Sequence, residues 1–173
     1  MSRLSLRRVI ATLTGAAVIG GTGWMTPVGA AERGSVTNLP IPRFVSMKAH
    51  EGNVRRGPSL SHRIDWVYKR RNMPLVITAE YGHWRRVQDR DGAGGWVHYA
   101  LLSGDRTAII ETDMLNLYAR PDASTQVNAQ LALGVIAEVR QCQLDWCELS
   151  AGGYRGWAPK GNYWGVTPDD IFD

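Results

Sequence analysis

Two stretches of the chain alternate apolar and polar positions on one plan. Residues 84–104 read WRRVQDRDGAGGWVHYALLSG, and residues 146–166 read WCELSAGGYRGWAPKGNYWGV. In each, a Trp opens a strand of period two and a Gly-rich turn follows. A Gly-Trp pair, Gly95-Trp96 or Gly156-Trp157, then starts the return strand. The alternation separates the faces. Arg85 and Val87 share one side of the first strand, and Trp84, Arg86 and Gln88 the other; in the second copy Cys147 and Leu149 oppose Trp146 and Glu148. Val87 and Leu149 mark the core side, so Trp84 and Trp146 lie off the core centre in both copies. On the return strands Val97 and Ala158 face one way, while Trp96 with His98, and Trp157 with Pro159, face the other.

The repeat extends upstream, since residues 53–58 (NVRRGP) return as residues 116–121 (NLYARP) at an offset of 63 positions, and residues 74–80 (PLVITAE) are echoed by residues 134–140 (GVIAEVR). A chain of 173 residues with this internal repeat predicts two small β-domains, residues 44–104 and 105–173. No segment sustains a period near 3.6 with caps at both ends, so long helices are not expected; a single helical turn fits residues 99–102. Residues 106–112 (RTAIIET) join the copies through β-branched positions rather than a Gly/Ser run, which predicts two domains held rigidly together. Residues 31–43 are polar and carry Pro40 and Pro42, the composition of an extended linker.

Residues 1–30 place Arg3, Arg7 and Arg8 ahead of an uncharged run that ends in small residues, and they read as a cleaved secretory signal, which predicts a periplasmic or secreted protein with no stable membrane span after cleavage. The paired Arg7-Arg8 leaves the export route open between the general and the twin-arginine systems. Without residues 1–30 the chain holds 17 basic against 16 acidic residues, a net charge of +1, so a basic nucleic-acid binder is not indicated. The charge is split between the halves: residues 46–104 hold 10 basic and 5 acidic residues, and residues 105–173 hold 5 basic and 10 acidic. Opposite halves predict electrostatic docking, within the chain or between copies.

Cys142 and Cys147 are the only two cysteines, and in an exported chain an even count predicts a disulfide. Metal binding by the pair would need partners, and no His lies near them in sequence. Enzyme chemistry finds no footing. Ser61-His62 is merely adjacent, His50, His62, His83 and His98 show no ligand spacing, and Asp89 and Asp91 flank a Gly-rich turn without the other oxygen ligands of a calcium loop. No cofactor or metal is implied. The basic residues Lys69, Arg70 and Arg71, with Arg85 and Arg86, have two readings: an anion site, or contact with the acidic second half.

The segments NVRRGPS and MPLVITAEYGHWRRVQDRDGAGGWVHYALLSGDRTAII resemble the tandem bacterial SH3-like domain family of exported proteins. The resemblance implies an all-β fold: two tandem small SH3-like barrels of five strands, each with a long loop between its first two strands. It also implies a binding module without enzymatic activity of its own. Related SH3-like modules contact peptidoglycan peptides, and distant eukaryotic ones hold proline-rich helices on an aromatic groove. A peptidoglycan stem peptide or an envelope protein is thus the expected partner. The second expectation is a structural pair whose grooves are consumed by domain pairing, and a wall hydrolase ranks behind both. Such a groove is built from a Tyr in the first loop, the Trp that opens the third strand, and a Pro and a Tyr after the fourth. The second copy is similar in offering Tyr118, Trp146, Pro159 and Tyr163; the first keeps Trp84, with Arg55 in place of Tyr118, His98 in place of Pro159 and Leu101 near the place of Tyr163. Any groove is therefore expected on the second copy.

Overall fold

Period-two alternation with turn residues at short intervals builds sheets, and the described residues form two. The computed structural model describes residues 32–173; the proposed signal, residues 1–30, lies outside them. The first sheet holds β1 (Arg43–Met47), β2 (Gly52–Arg55), β3 (Ile64–Tyr68), β4 (Pro74–Tyr81), β5 (Trp84–Gln88), β6 (Gly94–His98) and β7 (Leu102–Ser103). The second holds β8 (Thr107–Ile110), β9 (Leu115–Tyr118), β10 (Val127–Leu131), β11 (Ile136–Cys142), β12 (Trp146–Ala151), β13 (Tyr154–Pro159) and β14 (Tyr163–Trp164). Their strand orders, β3-β2-β6-β5-β4-β1-β7 and β10-β9-β13-β12-β11-β8-β14, are the same order repeated. Each has seven strands rather than the expected five, because the long loop after the first strand is itself a hairpin, β2–β3 or β9–β10. A 3-10 turn at Tyr99–Leu101 fills the place of the expected helical turn.

Each sheet curls over its own core, as the alternation requires. Met47, Val54, Leu75, Ile77, Val87 and Val97 fill the first, and Ile110, Leu117, Val139, Leu149 and Ala158 with the two cysteines fill the second. The Gly-Trp motif also has a steric cause. A Cβ at Gly95 would come within 2.7 Å of the Arg55 carbonyl oxygen, and one at Gly156 within 2.7 Å of the Tyr118 carbonyl oxygen. In both barrels the glycine lets the return strand press against the end of the β2-type strand.

At one equivalent position the two barrels use different chemistry. Beyond the shared Ile77↔Val87 and Val139↔Leu149 pairs, and one irregularity in each ladder, the first barrel pairs Glu80 with Arg85 where the second pairs Cys142 with Cys147. The cysteines form the expected disulfide, buried with Leu149, and the backbone of Cys142 exchanges hydrogen bonds with Phe172, pinning the C-terminal tail. Glu80 does the matching work at the other end of the chain. Its side chain is fully buried and accepts hydrogen bonds from the Val36 amide (3.0 Å), the Thr37 amide (2.8 Å), the Thr37 hydroxyl (2.7 Å) and Arg43 Nη2 (2.6 Å), with Arg85 Nε at 3.5 Å. Residues 32–43 are consequently not the extended linker that their composition suggests. Arg33 bridges to Pro40, Gly34 donates to Leu39, and Ile41 is buried in the first core. Two of the donors that fold this stretch are backbone amides, and the acceptor lies more than 35 residues away, so composition alone does not expose it.

The barrels touch through apolar rings and backbone groups. Phe44 meets Trp164 edge-on at 5.0 Å, the Arg106 guanidinium lies between the Phe44 and Phe172 rings, the Thr107 hydroxyl donates to the Asn72 carbonyl (2.8 Å), and Arg70 donates to the Gly134 carbonyl (2.7 Å). Among the described residues no ion pair crosses between the two barrels. The charge split therefore does not dock the halves through ion pairs.

Candidate functional site

Residues directly opposite each other in adjacent strands point to the same face, so the ladder builds the outer surface of each barrel row by row. In the first barrel Trp84 pairs with His98, and the next row runs Arg55, Trp96, Arg86 across β2, β6 and β5. In the second, Trp146 pairs with Pro159, and the next row runs Tyr118, Trp157, Glu148 across β9, β13 and β12. Two aromatic surfaces of one design thus carry different side chains at their flanks.

On the second barrel Tyr118 and Trp146 stand edge to face at 5.7 Å, as the sequence suggests, with Pro159 beside Trp146. Asn116 donates to the Tyr118 hydroxyl (3.3 Å) and is itself held by Gln130 (2.8 Å), so the ring is fixed from its own strand and the next. Tyr163 does not join them. It is 4 % exposed, packs in the second core and donates its hydroxyl to the Ala158 carbonyl at 3.3 Å; burial pushes that hydroxyl well above the usual range. The ladder explains the correction. Tyr163 pairs with Ile110 as Leu102 pairs with Met47, so Tyr163 corresponds to Leu102 and Asn162 to Leu101. A one-residue slip in a strand exchanges outer face for core.

On the first barrel Trp84, His98, Asn53, Arg55, Leu60 and Leu101 line a cleft of about 100 Å³. Trp84 meets His98 edge-on at 5.6 Å, and His98 stacks in turn with Tyr99 and His83. Arg55, in the place of Tyr118, donates to the carbonyls of Leu60 (3.0 Å) and His62 (2.7 Å), bracing the loop whose exposed Leu60 forms the cleft's far lip. The first copy thus has a small cleft of its own, in which Leu60 and the braced Arg55 stand as walls. The signal was present in the alternation of β2, which puts Asn53 and Arg55 on one face, but the position of Leu60 depends on the fold of the loop.

The basic residues grouped by sequence are dispersed. Arg85 is buried against Glu80, Lys69 lies near Glu51, and Arg70 reaches the second barrel. Arg86 alone turns outward beside Trp96, where Arg55 and Arg56 join it around a recess of about 390 Å³. The Asp89 carboxylate is occupied in the turn below, accepting from the Asp91 (3.0 Å) and Ala93 (2.9 Å) amides, which accords with the turn reading of DRDGAGG.

Comparison with known proteins bears on the whole chain. The family model for the bacterial SH3 domain matches twice, over residues 48–104 and 111–165. A search of curated proteins finds no match. Among solved structures, NlpC2 from Trichomonas vaginalis is similar at 10 % identity and a TM-score of 0.34, covering 70 % of this chain and 47 % of that one. NlpC1 from the same organism is similar at 9 % identity and a TM-score of 0.34, covering 76 % and 49 %. The chain spans about half the length of these two proteins. With two matched segments, two sheets of one strand order and a Trp-based outer face on each, the chain belongs to the bacterial SH3 domain family, as a tandem pair.

Proposed function

We propose that the protein is an exported, non-enzymatic binding module that holds an extended peptide on its outer aromatic faces, the peptide being a peptidoglycan stem or a segment of an envelope protein. Bacterial SH3 domains are binding modules, typically without catalysis of their own. The observation that carries the reading is where the barrels touch. Their contact uses Phe44, Trp164, Asn72, Thr107, Arg70 and Gly134, and it leaves the pairs Trp84/His98 and Tyr118/Trp146 half-open to solvent. A structural pair that consumed its own grooves would bury those residues instead. Rigid aromatic rings give contact area at low entropic cost, and the polar atoms of Asn53, His98 and Asn116 can orient a backbone. No helix among the described residues is long and apolar enough to cross a membrane. Export to the periplasm or beyond follows from the proposed signal in residues 1–30, and the net charge of only +1 without those residues argues against a nucleic-acid partner.

The test is retention by purified sacculi and by detergent-solubilised envelope proteins, with Trp84→Ala and Trp146→Ala alongside the unaltered protein. Central aromatic anchors cost about 2 kcal/mol or more when truncated, so at least one variant should lose roughly thirtyfold in affinity. Retention of both variants at unaltered strength would remove the outer faces from the account.

A further inference from the structure

The two outer faces diverge most at the row beside the central Trp. In the second barrel that row is closed by its own charges: Glu148 pairs with Arg155 (3.3 Å) and accepts from Gln141 (3.2 Å), and Trp157 is buried beneath. In the first barrel the position of Glu148 is Arg86 and the position of Arg155 is Gly94, so both halves of that internal ion pair are missing. A side chain cannot be restored at Gly94, since a Cβ there would collide with the Val87 carbonyl. What is left is an open recess lined by Arg55, Arg56 and Arg86, with the half-buried Trp96 on its floor.

The charges in this recess do not cancel. Among the described residues Asp65 is the one carboxylate in its wall, and it is shared between Arg63 (2.7 Å) and Arg56 (3.5 Å). Arg55 spends one guanidinium nitrogen on the Leu60 and His62 carbonyls, which fixes its head and leaves its other donors free. Arg86 is exposed and pairs with no carboxylate among the described residues. We infer that the first barrel carries an oxyanion site, absent from the second, in which Arg86 and Arg55 flank Trp96 and bind a carboxylate or phosphate group. Guanidinium forks suit either group, because both offer paired oxygens to parallel N–H donors. The site stands on its own geometry. If the peptide reading above also holds, Arg55, which lines both the recess and the Trp84 cleft, makes the first barrel's ligand an acidic one.

The experiment is an NMR titration of the protein without residues 1–30, following backbone amides, indole N–H and arginine Nε–H signals. Inorganic phosphate and succinate are the two probes, with chloride at matched ionic strength as the control. Saturable shifts at Arg55, Arg86, Trp96 and Gly95, with none on the second barrel, support the site, and the probe that saturates first identifies phosphate or carboxylate chemistry. Arg86→Glu, which copies the residue of the second barrel at an exposed position, should weaken binding at least about tenfold. Arg120→Glu, the same charge reversal at an exposed position of the second barrel, should leave small-anion binding unchanged, which separates the site from a general effect of net charge. Shifts that never saturate, that chloride reproduces, or that survive Arg86→Glu overturn the inference.

Discussion

Glu80 is the most exacting point at which to perturb the protein, because one buried carboxylate joins residues 32–43 to the first barrel. Burial by itself would raise its pKa. The Thr37 and Val36 amides, the Thr37 hydroxyl and Arg43 outweigh that effect and hold the carboxyl at about 2, below the ordinary value of 4.5. The folded pKa is depressed, so the associated stability is fully present above the unfolded value, near 4.5, and is lost as the pH falls through about 2. A shift of that size corresponds at most to about 3 kcal/mol, and screening by water at the rim of the segment reduces it to about 2 kcal/mol. Glu80→Gln preserves the shape but leaves Arg43 and Arg85 without a counter-charge, and removing one partner of a buried pair costs about 3 kcal/mol. Urea unfolding followed by Trp fluorescence, repeated from pH 7 down to pH 2, should show the largest gap between the unaltered protein and Glu80→Gln at neutral pH. That gap should shrink as the pH falls, because acid neutralises Glu80 itself. Hydrogen exchange at Val36 and Thr37 should accelerate in the variant at neutral pH. A gap of constant size across the range would mean that the ionised carboxylate is not the anchor.

Other outcomes follow from the same structure. Thiol counting under denaturing, non-reducing conditions should find no free cysteine, and reducing Cys142–Cys147 should destabilise the second barrel by about 2 kcal/mol while releasing the tail at Phe172. Tyr163→Phe should cost about 1 kcal/mol in unfolding experiments and leave ligand retention unchanged; a loss of binding at full stability would return Tyr163 to the groove. Raising salt from 0.15 to about 1 M should leave the small-angle scattering profile unchanged, because no described ion pair joins the barrels and exposed charge pairs are what salt screens. An increase in radius with salt would restore the electrostatic docking expected from the charge split.

Where the sequence was informative, it was so through period and repetition. The alternation in WRRVQ and WCELS placed Val87 and Leu149 in the cores and both Trp residues outside, and the ladders agree. The same alternation put Arg85 on the core side, but it could not name the partner that makes a buried arginine tolerable, since Glu80 lies across a hairpin whose ladder is irregular. Tyr163 was placed one residue out of register because the short last strand is located by its pairing with β8, not by any pattern of its own. The basic cluster failed for a related reason. Neighbours in sequence such as Arg85 and Arg86 point to opposite faces of a strand, while Arg55 and Arg86, 31 positions apart, are brought together across Trp96 by the sheet.

The central claim is that the ligand lies on the outer aromatic faces. Its most direct test is the NMR footprint of whichever sacculus fragment or envelope protein the pull-down retains. The account predicts shifts and broadening at the indole N–H signals of Trp84 and Trp96, of Trp146 and Trp157, or of both pairs, with Asn72, Thr107 and Gly134 at the junction between the barrels unaffected. A footprint on that junction, with all four indoles unmoved, would contradict it.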